Sequence, residues 1–182
     1  MRAPYARRRD RATANARRRD RVNRLPPNAD APASDPAKPP AIVAVAAAYE
    51  NVTVIPAGIA TLAAPEPVDV IWTAQNYHDF HLARLKLDVA AVNKTLFDAL
   101  KPGGTLLVID HAAAAGAPLE VADTLHRIDP AKARAEIEAA GFEFVGESDV
   151  LRNPQDTHTV GVFDPAIRGK TDQFVFKFRK PE

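Results

Sequence analysis

Two short stretches hold the residue types that could do chemistry: Gln75-Asn76-Tyr77-His78-Asp79, with His81 close behind, and Asp110-His111. A histidine near carboxylates can accept a proton from a reacting O–H or N–H group. Imidazole and carboxylate oxygens together are also the donors a divalent metal uses, which would gather His78, Asp79, His81, Asp110 and His111. Their spacing is diagnostic of no metal motif, and no metal is assigned. The blander reading is an ordinary polar turn and two solvated loop residues.

The positions of these residues argue for a site. Asp110 and His111 close the apolar run Leu106-Leu107-Val108-Ile109, which follows Lys101-Pro102-Gly103-Gly104. Proline ends a helix and glycine permits a tight turn. A continuous apolar run after such a turn reads as a strand of a parallel sheet, buried on both faces. Open α/β sheets place ligands at the carboxyl ends of such strands. The Asn76–Asp79 cluster likewise follows an apolar run, Val68-Asp69-Val70-Ile71-Trp72.

The remaining elements form an alternating pattern. Ile42–Tyr49 reads as a short alanine-rich helix, and Asn51–Ile55 as a β-branched strand stopped by Pro56 and Gly58. Leu85, Val89, Val92, Leu96 and Leu100 fall at helical spacing before Lys101-Pro102. Leu119–His126 is a possible helix. Asp129-Pro130 opens a stronger one, with N-cap and first-turn proline, that runs to Ala140 and stops at Gly141. Phe142–Glu147 and the run near 173–179 are further strands joined by a long loop. The expected fold is α/β, with strands near 51–55, 68–73, 105–110, 142–147 and 173–179 and an antiparallel last strand.

Composition limits the alternatives. The chain has 182 residues, no cysteine and 46% hydrophobic content, enough for one core but without disulfides or thiolate chemistry. Its net charge of +1 conceals ten arginines and two aspartates within residues 1–24. The sextet ARRRDR occurs at Ala6–Arg11 and again at Ala16–Arg21. Residues 1–40 therefore read as a disordered arginine-rich arm and a proline-rich linker, and 41–182 as a folded domain. Nucleic acid or another polyanion is a possible partner only through residues 2–24. Ala41–Ala48 lies too far from Met1 for a signal peptide, and no apolar run is long enough to cross a membrane. The expected location is cytoplasmic.

Five ordered stretches then carry a resemblance. They are QNYHDFH (Gln75–His81), LKPGG with VIDHAAAAG (Leu100–Gly104 and Val108–Gly116), LHRID (Leu125–Asp129), AAGF (Ala139–Phe142) and LRNP…DPAIRGKTDQFVFKFRKP (Leu151–Pro181). With them, the chain from about 41 to 181 resembles the C-terminal part of a class I S-adenosylmethionine-dependent methyltransferase. More narrowly it is similar to a bacterial group of predicted methyltransferases.

The resemblance implies an incomplete Rossmann-like sheet, S-adenosylmethionine as cofactor and a small-molecule methyl acceptor. It implies Asn76 and Tyr77 beside the cofactor, and His78 as general base oriented by Asp79 or Asp110. It places His111, His126 and Arg127 toward the acceptor, and leaves the Arg168-Gly169-Lys170 turn as an acceptor contact or lid. His158 offers only a surface histidine. The sequence departs from the pattern in one respect. It has eight glycines, the first being Gly58, and no GxGxG turn to hold the methionine end of the cofactor. The expectation is that residues 1 to about 25–40 stand in place of the cofactor-binding half. This chain would then be inactive or impaired alone, with an unpaired edge at the Val68 strand. The alternative is a polyanion-binding protein acting through its arm.

Overall fold

The computed structural model describes residues 41–55 and 57–182. The arginine-rich arm, the proline-rich linker and every expectation placed on them lie outside the described residues. The described residues belong to two units, one ending at Val54 and the other running Ile55–Glu182. In the first, helix α1 spans Ala41–Ala46 and closes with turn hydrogen bonds as far as Val52. Asn51–Ile55 forms no strand, contrary to expectation. β-Branched residues favour a pleated, half-buried surface, and Asn51, Val52 and Thr53 are exposed without a partner strand among the described residues.

The second unit is a mixed α/β fold around a four-stranded open sheet. Its strands are β1 (Val68–Ala74), β2 (Leu100–His111), β3 (Glu143–Ser148) and β4 (Gln173–Arg179), in the order β1-β2-β4-β3. β1 and β2 are parallel, while β4 runs antiparallel to both β2 and β3. The final strand therefore enters between its two predecessors, as expected of an antiparallel last strand. The helices are α2 (Val89–Ala99), α3 (Val121–Leu125) and α4 (Pro130–Ala139).

Local chemistry explains where these helices begin. The Asp88 side chain accepts the Ala91 N–H at 3.2 Å, so α2 starts at Val89 and leaves Leu85 in the preceding turn. Asp129 caps α4 through the Ala131 N–H at 2.9 Å, with Pro130 in the first turn. Gly141 ends α4 at φ +104°, a conformation that suits glycine.

One sheet face carries the core. Leu106 and Val108 of β2, and Phe174, Phe176 and Phe178 of β4, pack with Val92, Leu96 and Ile137 of the helices. Each such side chain contributes about 1.5–3 kcal/mol when fully buried. The opposite face is less covered. β2 alternates fully buried with half-buried residues instead of being buried on both faces, which corrects the reading of its apolar run. β1 is the outer strand of the described sheet, and Val70 and Trp72 are 54% and 66% exposed. Among the described residues, no strand lies beyond β1 at this edge.

β2 also begins earlier than expected, at Leu100. Its first turn contains Gly103 at φ +73°, and the register against β1 shifts between Val68 and Val70. A Cβ on Gly104 would lie 2.8 Å from the Lys101 carbonyl oxygen, so that position excludes side chains.

Candidate functional site

The parallel pair β1 and β2 ends in two loops that meet. Gln75, at φ +60°, donates its N–H to the Ile109 carbonyl at 2.7 Å and turns the chain back over the end of β2. The next residues form a short 3-10 helix, His78–His81, which sets His78 directly above Asp110.

Asp110 has no exposed surface, and three donors converge on its carboxylate. One oxygen accepts the His78 backbone N–H at 2.6 Å. The other lies 2.8 Å from His78 Nδ1 and 2.7 Å from the His111 backbone N–H. Two backbone donors stabilise an ionised carboxylate, which can only accept. Nδ1 of His78 therefore carries a proton, and in the neutral ring Nε2 presents its lone pair. Of the two carboxylates expected to orient His78, Asp110 holds Nδ1. Asp79 instead faces Nε2 from 3.4 Å.

Two further imidazoles approach the same point. The His111 ring centre lies 6.0 Å from that of His78, and its Nδ1 is 2.7 Å from the Thr171 hydroxyl oxygen. Burial pushes the His111 pKa down to about 4 against the pull of Asp110, so its ring is neutral at physiological pH. His126 meets the His78 ring edge-on at 5.5 Å and the Phe163 ring at 5.0 Å. Burial, followed by the neighbouring His78, lowers its pKa as well.

Three sequence-based assignments require correction. Tyr77 was expected to flank the cofactor, yet it has no exposed surface. Its hydroxyl accepts from Asn93 at 2.8 Å and donates to Glu136 at 3.2 Å, while its ring packs against Phe80. Burial raises its pKa well above the ordinary phenol value. Arg127 was expected to meet an acceptor but is also fully buried. Its guanidinium makes two bonds to Asp156 at 2.9 and 3.1 Å, and others to the Ala112 and Val160 carbonyls. It ties the long loop before β4 to the end of β2.

His158 is the third correction. It sits 3.0 Å from the buried Asp172, whose other oxygen accepts the Asn153 N–H, and so belongs to the same loop scaffold. Burial pushes the Asp156 carboxyl up, but the Asp172 and His158 backbone N–H groups and Arg127 outweigh it, and the net shift is downward.

The other candidates separate by location. Asn76 is exposed and accepts from the Thr73 hydroxyl. His81 is turned away from His78 onto Glu136, at 3.0 Å. The five residues first grouped as metal donors are thus divided, since His81, Asp110 and His111 are engaged elsewhere. Arg168 is exposed and lies over Phe163, 5.8 Å from its ring centre, at the outer edge of the His126 cluster. Asp156, Asp172 and Thr171 were missed. Only their position in the LRNP…RGKTDQFVF stretch marked them.

S-adenosylmethionine does not fit the described residues. None of the glycines supplies a GxGxG turn. Tyr77, expected beside the cofactor, is locked in the core, and the Asn76 amide oxygen accepts from Thr73. The carboxyl ends of β1 and β2 thus bring His78 and Asp110 together, with no glycine-rich turn beside them among the described residues.

No family model and no curated protein matches the chain. Solved structures do resemble it. The N-methyltransferase NodS from Bradyrhizobium japonicum WM9 is 14% identical, with a TM-score of 0.48 over 69% of this chain and 58% of NodS. The methyltransferase SibL is 20% identical, with a TM-score of 0.49 over 78% of this chain and 39% of SibL. The cyclase SpnF is 18% identical, with a TM-score of 0.46 over 69% of this chain and 54% of SpnF. The chain thus spans little more than half of NodS and SpnF, and less of SibL. These likenesses are of fold outline alone, and no residue's role is taken from them.

Proposed function

We propose that this chain carries the acceptor side of an S-adenosylmethionine-dependent methyltransferase site. His78 Nε2 takes the proton from an O–H or N–H group of a small-molecule acceptor. The observation that carries the reading is the Asp110–His78 contact, which fixes the ring and turns Nε2 away from Asp110 toward the partly exposed Asp79. A nucleophile attacks a methyl donor better once its proton leaves, and the buried Asp110 charge stabilises the imidazolium that forms. The positions of His111 and His126 suit flanking the acceptor. The five ordered sequence stretches support the methyltransferase class. Cofactor binding is assigned to no described residue, and no step is routed through it.

Two measurements test this. Calorimetry of the full chain with S-adenosylmethionine should show no saturable binding. Histidine-resolved NMR with simple phenols and primary amines should show the His78 resonances moving, with no such response in His78→Gln. Tight cofactor binding by the chain would refute the poor fit to the cofactor. Acceptors that shift surface residues but leave His78 unmoved would refute the base.

A further inference from the structure

In the neutral His78 ring, the Nε2 lone pair faces an oxygen of Asp79 across 3.4 Å, with no donor between them. Two acceptors face each other favourably only when a cation joins them, either a proton or a metal ion. One donor atom from each of His78, Asp79 and His126 lies within 4.8 Å of the other two. We propose that these three side chains bind a divalent transition-metal ion of the Zn2+ class, which competes with the proton at His78 Nε2.

The geometry suits such an ion. With metal–ligand bonds of about 2.0–2.1 Å, two ligands of a tetrahedral zinc ion lie about 3.3–3.4 Å apart. His78 and Asp79 already have that separation. Asp110 on Nδ1 supplies the outer carboxylate that metal-binding histidines use to fix tautomer and orientation. His78 is thus held as a ligand before any ion arrives.

His126 completes the set. It ends α3 at φ +54°, a left-handed conformation uncommon outside glycine, in which histidine is enriched alongside asparagine and aspartate. That conformation places its ring against His78 and Phe163. Among the described residues, no hydrogen bond occupies its ring nitrogens. Asp79 is 38% exposed at its side chain and can swing the remaining distance. Two imidazoles and one carboxylate leave a coordination position open, and such donors favour Zn2+, Co2+ or Ni2+ over Mg2+.

Metal binding stands independently of the methyl-transfer reading. Its consequence rests on that reading: an ion on Nε2 blocks the nitrogen that would accept the proton, so the metal-bound form cannot act as the base.

Co2+ titration of the full chain, followed by visible absorption, tests the site. The expected result is one Co2+ per chain with the strong bands of a four- or five-coordinate ion, displaced by Zn2+ but not by Mg2+. His126→Asn keeps a residue at ease with positive φ and should weaken binding at least tenfold without moving the urea midpoint. Asp110→Asn should weaken it about 10–100-fold. His158→Ala, at a histidine–carboxylate pair outside the cluster, should leave it unchanged. Absence of saturable 1:1 binding, or binding that survives both His126→Asn and His78→Ala, overturns the proposal. Co2+ binding with His78 indifferent to acceptors would preserve the metal site and sink the base, so the two failures are distinguishable.

Discussion

Asp110 holds His78 twice, by its backbone N–H at 2.6 Å and by ring Nδ1 at 2.8 Å. A single buried carboxylate thereby fixes both the position of the loop after β1 and the tautomer of the histidine it carries. Asp110→Asn should remove the ionic acceptor while keeping the shape. Hydrogen bonds to charged groups are worth about 1.5–3 kcal/mol each, and an amide retains part of them, so a loss of about 2 kcal/mol in urea unfolding is expected. Nitrogen NMR should show the His78 ring losing its single Nδ1–H tautomer at the same time.

Arg127 and Asp156 form a buried pair, at 0% and 1% side-chain exposure. Removing one partner leaves an unpaired buried charge. Arg127→Met is therefore expected to cost about 3–5 kcal/mol. Arg127→Met with Asp156→Leu should cost less than the sum of the two single changes. A double-mutant cycle in denaturant measures the coupling.

His111 gives a pH signature. Burial lowers its folded pKa to about 4, from an unfolded value near 6.5. Between these values the unfolded chain binds more protons, so stability rises with pH. The contribution is complete above 6.5 and is lost as pH falls from 6.5 through 4. Burial sets the depth of the shift, and the nearby Asp110, Arg127 and Asp156 charges adjust it. His111→Gln should flatten the unfolding free energy relative to wild type across that window, which thermal scans at stepped pH would detect.

Tyr77 should be spectroscopically distinct. Of the two described tyrosines, Tyr49 is exposed and Tyr77 is bonded to Asn93 and Glu136 in the core. Alkaline titration at the phenolate band should show Tyr77 ionising only with unfolding. Tyr77→Phe should cost about 1–3 kcal/mol, because it strands a buried amide.

Gly141 tests the end of α4. It combines φ +104° with a Cβ position 3.2 Å from the Phe97 ring. Gly141→Ala is expected to destabilise by more than about 1 kcal/mol, read as a lower urea midpoint.

Most of the local architecture was legible in the chain itself. Asp129-Pro130 and Gly141 bounded α4, and the glycine turn before Leu106 announced β2. These signals act between near neighbours and need no tertiary partner. The grouping of His78 with Asp110 was also anticipated, because both follow apolar runs that end on one edge of a sheet. Tertiary contacts decided the rest. Asn51–Ile55 had strand-like residues but no neighbour among the described strands to pair with. Tyr77 and Arg127 carry the same polar atoms in the core as in a crevice, and only the packing of Asn93, Glu136 and Asp156 around them settled which. The meeting of Asp79 and His126 at His78 joins residues 47 positions apart through a left-handed helix end. No local pattern encodes that distance; the packing of α3 against the short His78–His81 helix creates it.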